Sequence, residues 1–339
     1  MKKIRIGING FGRIGRIASR IILNRPQLSL VAINSRADAY SHAYLLKHDT
    51  AYGTFPKDIN AKDNTLIVDN QKIAVFNYPQ PSEIPWKNAA VDIVVDSTGK
   101  FRRTDDLKGH LRDTVKYVAI SAPAKDSTKT IILGVNEKDF DPNLDKIVSN
   151  SSCTTNCLVT TLKVLHDNFK IERGFMNTTH AVTDTQNLLD NSNPEEVRTR
   201  RAAFASMIPA DTGSGREIKK FFPDLADKIL CSAIRVPLLT VSIINLIVQT
   251  QKEVCKECIN EEFEKASKTY LRGILGYATE ELVSHDYIGS PYSSIFDPYL
   301  TQVNGNHFVS VSAWYDNEWG YASRLVDLLE FIAKKGNLL

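Results

Sequence analysis

The opening residues leave the first part of the chain little choice of fold. Ile4-Arg5-Ile6-Gly7-Ile8-Asn9 is a β-rich run, and Gly10, Gly12 and Gly15 follow it at G-x-G-x-x-G spacing, overlapping a helix-like segment from Ile14 to Leu23. A strand that turns abruptly into a helix needs one glycine for the turn. It needs a second where the backbone meets a bound group, and a third where helix and strand touch. Arg13 and Ile14 present backbone N–H groups at the helix start, where the helix dipole favours an anion. This unit is expected to hold the pyrophosphate of a dinucleotide.

The pattern continues in the same way. Leu30 to Asn34, Val91 to Asp96, Tyr117 to Ser121 and Ile131 to Val135 are Val/Ile-dense runs separated by longer mixed segments, with Tyr40 to Lys47 a short helix. Strands alternating with helices predict a parallel sheet with crossovers, so residues 1–152 are read as a Rossmann nucleotide-binding domain. From Cys153 the character changes to one long helix and then longer, alternating strands near 171–183, 228–236, 240–251 and 307–314. Residues 153–317 are therefore read as an α+β catalytic domain with a mainly antiparallel sheet. Leu325, Leu328, Leu329 and Ile332 have core-like spacing in a last helix within 318–339. Asp190-Asn191-Ser192-Asn193-Pro194 is the clearest irregular stretch.

Composition narrows the partners. A formal charge of +3 is too mild for nucleic acid or a membrane surface as the main partner, and no apolar run is long enough to span a bilayer. The strand begins at once, without room for a presequence, which predicts a cytoplasmic protein. Five cysteines, an odd number, read as reduced thiols rather than a disulfide framework. Cys255 and Cys258 form a C-x-x-C, but no second pair or His cluster completes a metal site, so they are read as structural and no metal is expected.

The chemistry points to Cys153, in Ser149-Asn150-Ser151-Ser152-Cys153-Thr154-Thr155-Asn156-Cys157, where a small polar loop enters an apolar helix. N–H groups and the positive helix end favour a thiolate there. His180 lies within the strand-like run Phe175 to Thr183, and a cysteine with a positioned histidine is an activated nucleophile. Taken alone, the pair also fits a buried cysteine and a core histidine. Cys157, one helical turn on, reads as packing beneath the site.

With S-C-T-T-N-C, Ile8 to Arg16, Ile208-Pro209-Ala210-Asp211-Thr212-Gly213, Arg235-Val236-Pro237 and Trp314 to Tyr321 in this order, the chain resembles the phosphorylating glyceraldehyde-3-phosphate dehydrogenases from end to end. The resemblance implies a homotetramer acting on a small phosphorylated aldehyde and inorganic phosphate, and a terminal helix that packs back on the nucleotide domain. It implies a Cys153 thiohemiacetal and thioester with His180 as base and as ion-pair partner of the thiolate. It assigns Thr183 and Arg235 to the substrate phosphate, and Ser152, Thr154, Thr212 and Gly213 to the attacking phosphate. One arginine of residues 198–201, with Arg198 favoured, joins that second group. Asn317 corresponds to the nicotinamide carboxamide contact, and Ser121 lies on the nicotinamide side; Asp316 and Glu318 read as solvated or interface charges.

The cofactor signal is mixed. At the end of the second strand an NAD site places a carboxylate on the ribose hydroxyls, whereas this chain has Asn34-Ser35-Arg36. A hydroxyl and a guanidinium can bond to a 2′-phosphate that a carboxylate would repel. Ser192, from a neighbouring subunit, resembles NADP-using members. NADP acceptance is expected, with Ser35, Arg36 and Ser192 as contacts; Asp38, close enough to reach a ribose, keeps NAD open. Ser214-Gly215-Arg216-Glu217 departs from the family's alanine-rich pattern. Two rivals follow: an erythrose-4-phosphate dehydrogenase that hydrolyses its thioester, and a non-catalytic nucleic-acid-binding relative.

Overall fold

The structure, a computed structural model, describes residues 3–192 and 196–338. Asn193 and Pro194 of the irregular stretch, and the outermost ends of the expected domains, lie outside the described residues. Two compact units emerge: residues 1–152 with 322–339, and residues 153–321.

The first unit opens with β1 (Ile4–Asn9), α1 (Arg13–Ile22), β2 (Leu28–Asn34) and α2 (Ala39–Lys47). A small hairpin of β3 (His48–Asp49) and β4 (Gly53–Thr54) follows, then β5 (Ile59–Lys62), β6 (Thr65–Val68) and β7 (Gln71–Phe76). After β8 (Ile93–Asp96) come the short α3 (Thr104–Leu107), β9 (Tyr117–Ile120), β10 (Lys129–Thr130) and β11 (Ile147–Ser149). Nine strands pair in the order β10-β11-β9-β8-β1-β2-β7-β6-β5, with β5 and β6 forming an antiparallel edge on an otherwise parallel sheet. β1 runs between β2 and β8, parallel to both. The crossovers diverge there, and in open α/β sheets ligands bind beyond the carboxyl ends of the strands at such a point. Gly10 to Gly15 occupy that end of β1.

Side chains lock the same end. Asn34 donates to Asn9 Oδ1 at 2.8 Å and accepts from the Tyr78 N–H at 2.9 Å, while Asn9 donates to Asp96 at 2.7 Å. Three strand ends are thereby tied together, and Asn34 is committed to the scaffold. Ile131 to Val135 is not a strand. Ile131 and Ile132 are fully buried, but Asn136 accepts from the Ile132 N–H and donates to the Thr130 carbonyl, and Gly134 takes φ +83. An asparagine bridging both sides of a turn competes with a ladder. The strand beside β9 is Ile147–Ser149 instead, with the short β10 outside it at the edge.

The second unit begins with α4 (Cys153–Phe169), which buries Cys157, Leu158, Val159, Leu162 and Leu165 completely. Burying each larger apolar side chain is worth roughly 1.5–3 kcal/mol, which anchors the helix that carries Cys153. Then come β12 (Ile171–His180), β13 (Ile208–Ala210), α5 (Ser214–Ile218), β14 (Ile229–Arg235) and β15 (Ser242–Thr250). The unit continues through α6 (Lys256–Lys268), β16 (Leu275–Tyr277), β17 (Ser294–Asn304) and β18 (Phe308–Tyr315) to the start of α7 (Trp319–Lys335). The sheet order is β13-β14-β12-β15-β18-β17-β16, mainly antiparallel, with parallel pairs β12–β14 and β16–β17. Asp316 is no solvated charge. It is 1% exposed and its carboxylate accepts from the Glu318, Trp319 and Gly289 N–H groups and from Thr240, capping α7.

Cys255 and Cys258 are joined in a disulfide, against the expectation of reduced thiols throughout. Cys255 is the N-cap residue of α6 and Cys258 stands one turn in, which brings their Cα atoms to 5.2 Å, within bridging range. Among the described residues no His/Cys/Asp/Glu cluster could hold a metal, and no helix is long and apolar enough to cross a membrane.

Candidate active site

Cys153 is the first residue of α4, preceded by Ser151 in the left-handed region at φ +55. A serine held there is unusual, and its N–H is satisfied by Ser149 Oγ at 3.0 Å. Sequence and backbone together set the sulfur at the helix end. His180 ends β12, and its Nε2 lies 3.5 Å from Cys153 Sγ. Its Nδ1 contacts the Ala181 carbonyl at 2.6 Å. A carbonyl can only accept, so the ring proton sits on Nδ1 and Nε2 faces the sulfur as an acceptor.

Arg235 ends β14 directly opposite His180 in the parallel β12–β14 register, and its guanidinium donates to the same Ala181 carbonyl at 3.4 Å. Burial, and then the Arg235 charge, push the His180 imidazole down to about 3. Burial also pushes the Cys153 thiol up, against the pull of Arg235 and of the Thr154 hydrogen bonds. Both directions favour a neutral thiol beside a neutral imidazole. Burial is the first cause working against the thiolate–imidazolium pair expected from sequence; Arg235 opposes the imidazolium while it favours the thiolate. Cys153 as a residue is only partly buried.

One residue missed in the sequence organises this cluster. Tyr315, 1% exposed, places its hydroxyl 2.9 Å from Thr154 Oγ1 and 2.8 Å from Thr178 Oγ1, and its ring meets His180 edge-on at 5.9 Å. Its signal in the sequence is its place in the Trp314 to Tyr321 block, two residues before Asn317. Thr154 consequently spends its hydroxyl inside the core, and its backbone N–H is what it can offer an anion. Asn317 is buried and accepts from Ser242 Oγ at 3.0 Å, which fixes its amide orientation; Ser242 also accepts from the Ala181 N–H.

The remaining anion candidates differ in their freedom. Thr183 is half-buried, with its hydroxyl on Thr185 at 2.9 Å and its N–H on Gln186 at 3.1 Å. Thr212 donates to Ser214 Oγ at 3.1 Å, a second hydroxyl that also accepts from Thr155, while Gly213 is exposed. Arg216 is exposed and pairs with Asp211 at 3.4 Å. Among the arginines of 198–201, Arg201 is held by Asp190 at 3.0 Å, whereas Arg198 lines a cavity of 560 Å³ with Asn177, Asp211 and Ser232. Cys157 is fully buried, as expected of a packing residue.

In the nucleotide unit, Gly10 takes φ +91 and a Cβ on Gly15 would collide with the Gly10 carbonyl oxygen, whereas one on Gly12 would meet nothing within 4 Å. No side chain caps the start of α1. Open backbone at a helix N-terminus matches a pyrophosphate, so these residues fit a dinucleotide. The Arg13 side chain pairs with Asp49 at 2.5 Å, so its N–H is the part that can face the phosphates. Ser35 is half-buried with its N–H on Phe76 O at 2.9 Å, and Arg36 is exposed. Asp38 does not reach back toward them. Its carboxylate caps α2 by accepting from the Ser41 N–H at 2.8 Å and the Ser41 hydroxyl at 3.0 Å, which lowers its pKa. Ser121 follows β9 with its N–H on Asp96 O at 2.9 Å, and Ser192 is exposed, its N–H on its neighbour Asn191.

Comparison with known proteins agrees with both units. Residues 4–104 match the family model for the glyceraldehyde 3-phosphate dehydrogenase NAD binding domain, and residues 152–317 match that for its C-terminal domain. Over 332 residues the chain is 43% identical to glyceraldehyde-3-phosphate dehydrogenase 1 of Bacillus cereus, covering 98% of this chain and 99% of the relative. The Geobacillus stearothermophilus glyceraldehyde-3-phosphate dehydrogenase is 43% identical over 333 residues, and that of Chlamydia pneumoniae 42% over 332, each with 98% and 99% coverage.

Proposed function

The chain belongs to the glyceraldehyde-3-phosphate dehydrogenase family and is an NAD-dependent dehydrogenase, and on that premise we propose how its residues divide the work. The substrate is D-glyceraldehyde 3-phosphate and the product 1,3-bisphosphoglycerate. What supports this assignment is the sulfur-to-imidazole contact of 3.5 Å at the head of α4, on a chain similar to its relatives over nearly full length.

An aldehyde carbon bears no anionic oxygen to drive hydride out, and a thiol adduct remedies that. Cys153 Sγ adds to the aldehyde carbon while its proton passes through His180 Nε2 to the carbonyl oxygen, giving a thiohemiacetal. His180 then removes the hydroxyl proton as the C–H electron pair departs as hydride, and a thioester remains on Cys153. A neutral imidazole with Nδ1 fixed on Ala181 suits both steps. The bound nicotinamide cofactor supplies the hydride acceptor. Inorganic phosphate attacks the acyl carbon and expels Sγ, releasing the acyl phosphate.

Arg235 and Thr183 hold the substrate phosphate. Ser152, the Thr154 N–H, Thr212, Gly213 and Arg198 receive the attacking phosphate. The Gly10–Gly15 turn, with the Arg13 and Ile14 N–H groups, binds the cofactor pyrophosphate, and Ser121 and Asn317 serve the nicotinamide half. We take NADP to be accepted alongside NAD, because Asn34 and Asp38 are committed elsewhere and Ser35, Arg36 and a neighbouring subunit's Ser192 remain for a 2′-phosphate. Residues 153–317 carry catalysis and assembly of a cytoplasmic homotetramer. Cys153→Ser tests the core of the reading: it abolishes aldehyde oxidation and the acyl adduct seen by intact mass. Retained turnover in that variant would refute the assignment, and a rate independent of phosphate would redirect it to thioester hydrolysis.

A further inference from the structure

The Cys255–Cys258 disulfide lies outside all of this chemistry, and its placement gives it reactivity of its own. Cys258 is exposed and Cys255 half-buried, so an incoming sulfur reaches Cys258 first. Cys255 is the N-cap residue of the thirteen-residue helix α6, and the Cys258 N–H points at Cys255 Sγ across 3.0 Å. A thiolate formed on Cys255 would be met by that N–H and by the positive helix end. Such a sulfur is the better leaving group. The bond closes a loop of only a few residues, and so contributes less as a staple than a bridge between distant segments.

The backbone on either side is anchored independently of the bond. The Val254 N–H donates to Asn306 O at 2.8 Å and the Lys252 N–H to Phe169 O at 3.1 Å, while Ile259 is fully buried just beyond Cys258. Opening the disulfide leaves both sulfurs held within reach of each other.

We propose that Cys255 and Cys258 form a reversible thiol–disulfide exchange site for small-molecule thiols of the glutathione class. The thiolate of the small thiol attacks Cys258 Sγ, the Cys255–Cys258 S–S bond breaks, and Cys255 leaves as a thiolate. A second small thiol attacks the outer sulfur of the mixed disulfide and frees Cys258. Two small thiols are oxidised to their disulfide, the protein disulfide gains two electrons, and the thiolates take up protons from solvent. In the reverse direction Cys258 captures the oxidised small disulfide, and Cys255 resolves the adduct by attack on Cys258 Sγ.

The test uses the full-length protein, with site occupancy read by alkylation and peptide-resolved mass spectrometry so that Cys153 is scored separately. Millimolar reduced glutathione should expose Cys255 and Cys258 to alkylation, and oxidised glutathione should close them again. With oxidised glutathione the adduct should accumulate on Cys258 in Cys255→Ser; in Cys258→Ser, adduct formation at Cys255 should be slower by about tenfold, because the less exposed sulfur has poorer access to the small disulfide. Both variants should keep dehydrogenase turnover within about twofold of wild type, since neither residue touches the proposed chemistry. A disulfide that resists glutathione, or equal adduct rates in the two variants, overturns the proposal.

Discussion

His42 offers a sharp test of how burial shapes the nucleotide unit. It lies on α2 at 3% exposure, with neither ring nitrogen hydrogen-bonded among the described residues, and its ring meets Phe11 edge-on at 5.0 Å. Burial first, and then the Arg16 charge, lower its pKa from the ordinary histidine value. Replacing it with leucine removes unpartnered polar atoms, a gain of about 1–3 kcal/mol, and adds up to roughly 0.5 kcal/mol of helix propensity. Losing the edge-on ring contact costs about 0.5–1.5 kcal/mol. His42→Leu should therefore be more stable by about 1–2 kcal/mol at neutral pH. Because the folded pKa lies below the unfolded value of about 6.5, the unfolded chain alone binds a proton as pH falls through 6.5. Wild type then loses up to about 1.4 kcal/mol per pH unit that the leucine variant keeps. Urea midpoints of both proteins at fixed concentration, at about pH 7.5 and 5.5, should show a gap that widens in acid. A less stable variant, or a gap constant with pH, would show that His42 has a partner and refute the reasoning.

Other outcomes follow from the site. Ser35→Asp places a carboxylate against a 2′-phosphate at the end of β2; at contact distance and effective dielectric between 20 and 80 this costs about 1–4 kcal/mol per unit of phosphate charge, so kcat/KM for NADP should fall at least tenfold while that for NAD holds or rises. Wild-type kinetics with NAD at least tenfold better than with NADP would defeat the premise. His180→Asn keeps a polar group beside Sγ but no proton acceptor, and kcat should fall by about 10²- to 10⁴-fold with a smaller change in KM. Tyr315→Phe strips the bridge between Thr154 and Thr178; a stability loss of about 1–3 kcal/mol in urea, with a lowered kcat, is expected, and unchanged values for both would sink the role given to the hydroxyl.

Much of this molecule was readable from residue order, for identifiable reasons. The Gly10–Gly15 turn has few alternative conformations, and α4 starts at Cys153 where a polar loop meets Leu158, Val159 and Leu162. Less legible were features that depend on contacts between distant segments. Ile131 and Ile132 are as apolar as any strand, but the side chain of Asn136 turns the chain there. Asp316 looked like surface charge until four donors from three segments converged on it. The charge state of the Cys153–His180 pair follows from burial first and then from Arg235, which only the pairing of β12 with β14 brings alongside. Asp38 was near enough in sequence to reach a ribose, yet a cap on α2 claimed it locally.

The pairing of His180 with Arg235 at the ends of two neighbouring parallel strands has a consequence for how such a protein can change. Their spacing is set by main-chain rungs and not by the long excursion through residues 183–207 between them. That excursion, Thr183 and Arg198 apart, can be rewritten, lengthened or given new charges while His180 and Arg235 stay at one level. A single-residue slip of either strand would instead turn one of them to the opposite face. Variation in this family member should thus be cheap in what receives the acyl group or contacts a neighbour, and nearly forbidden in the ladder that aligns the oxidation step.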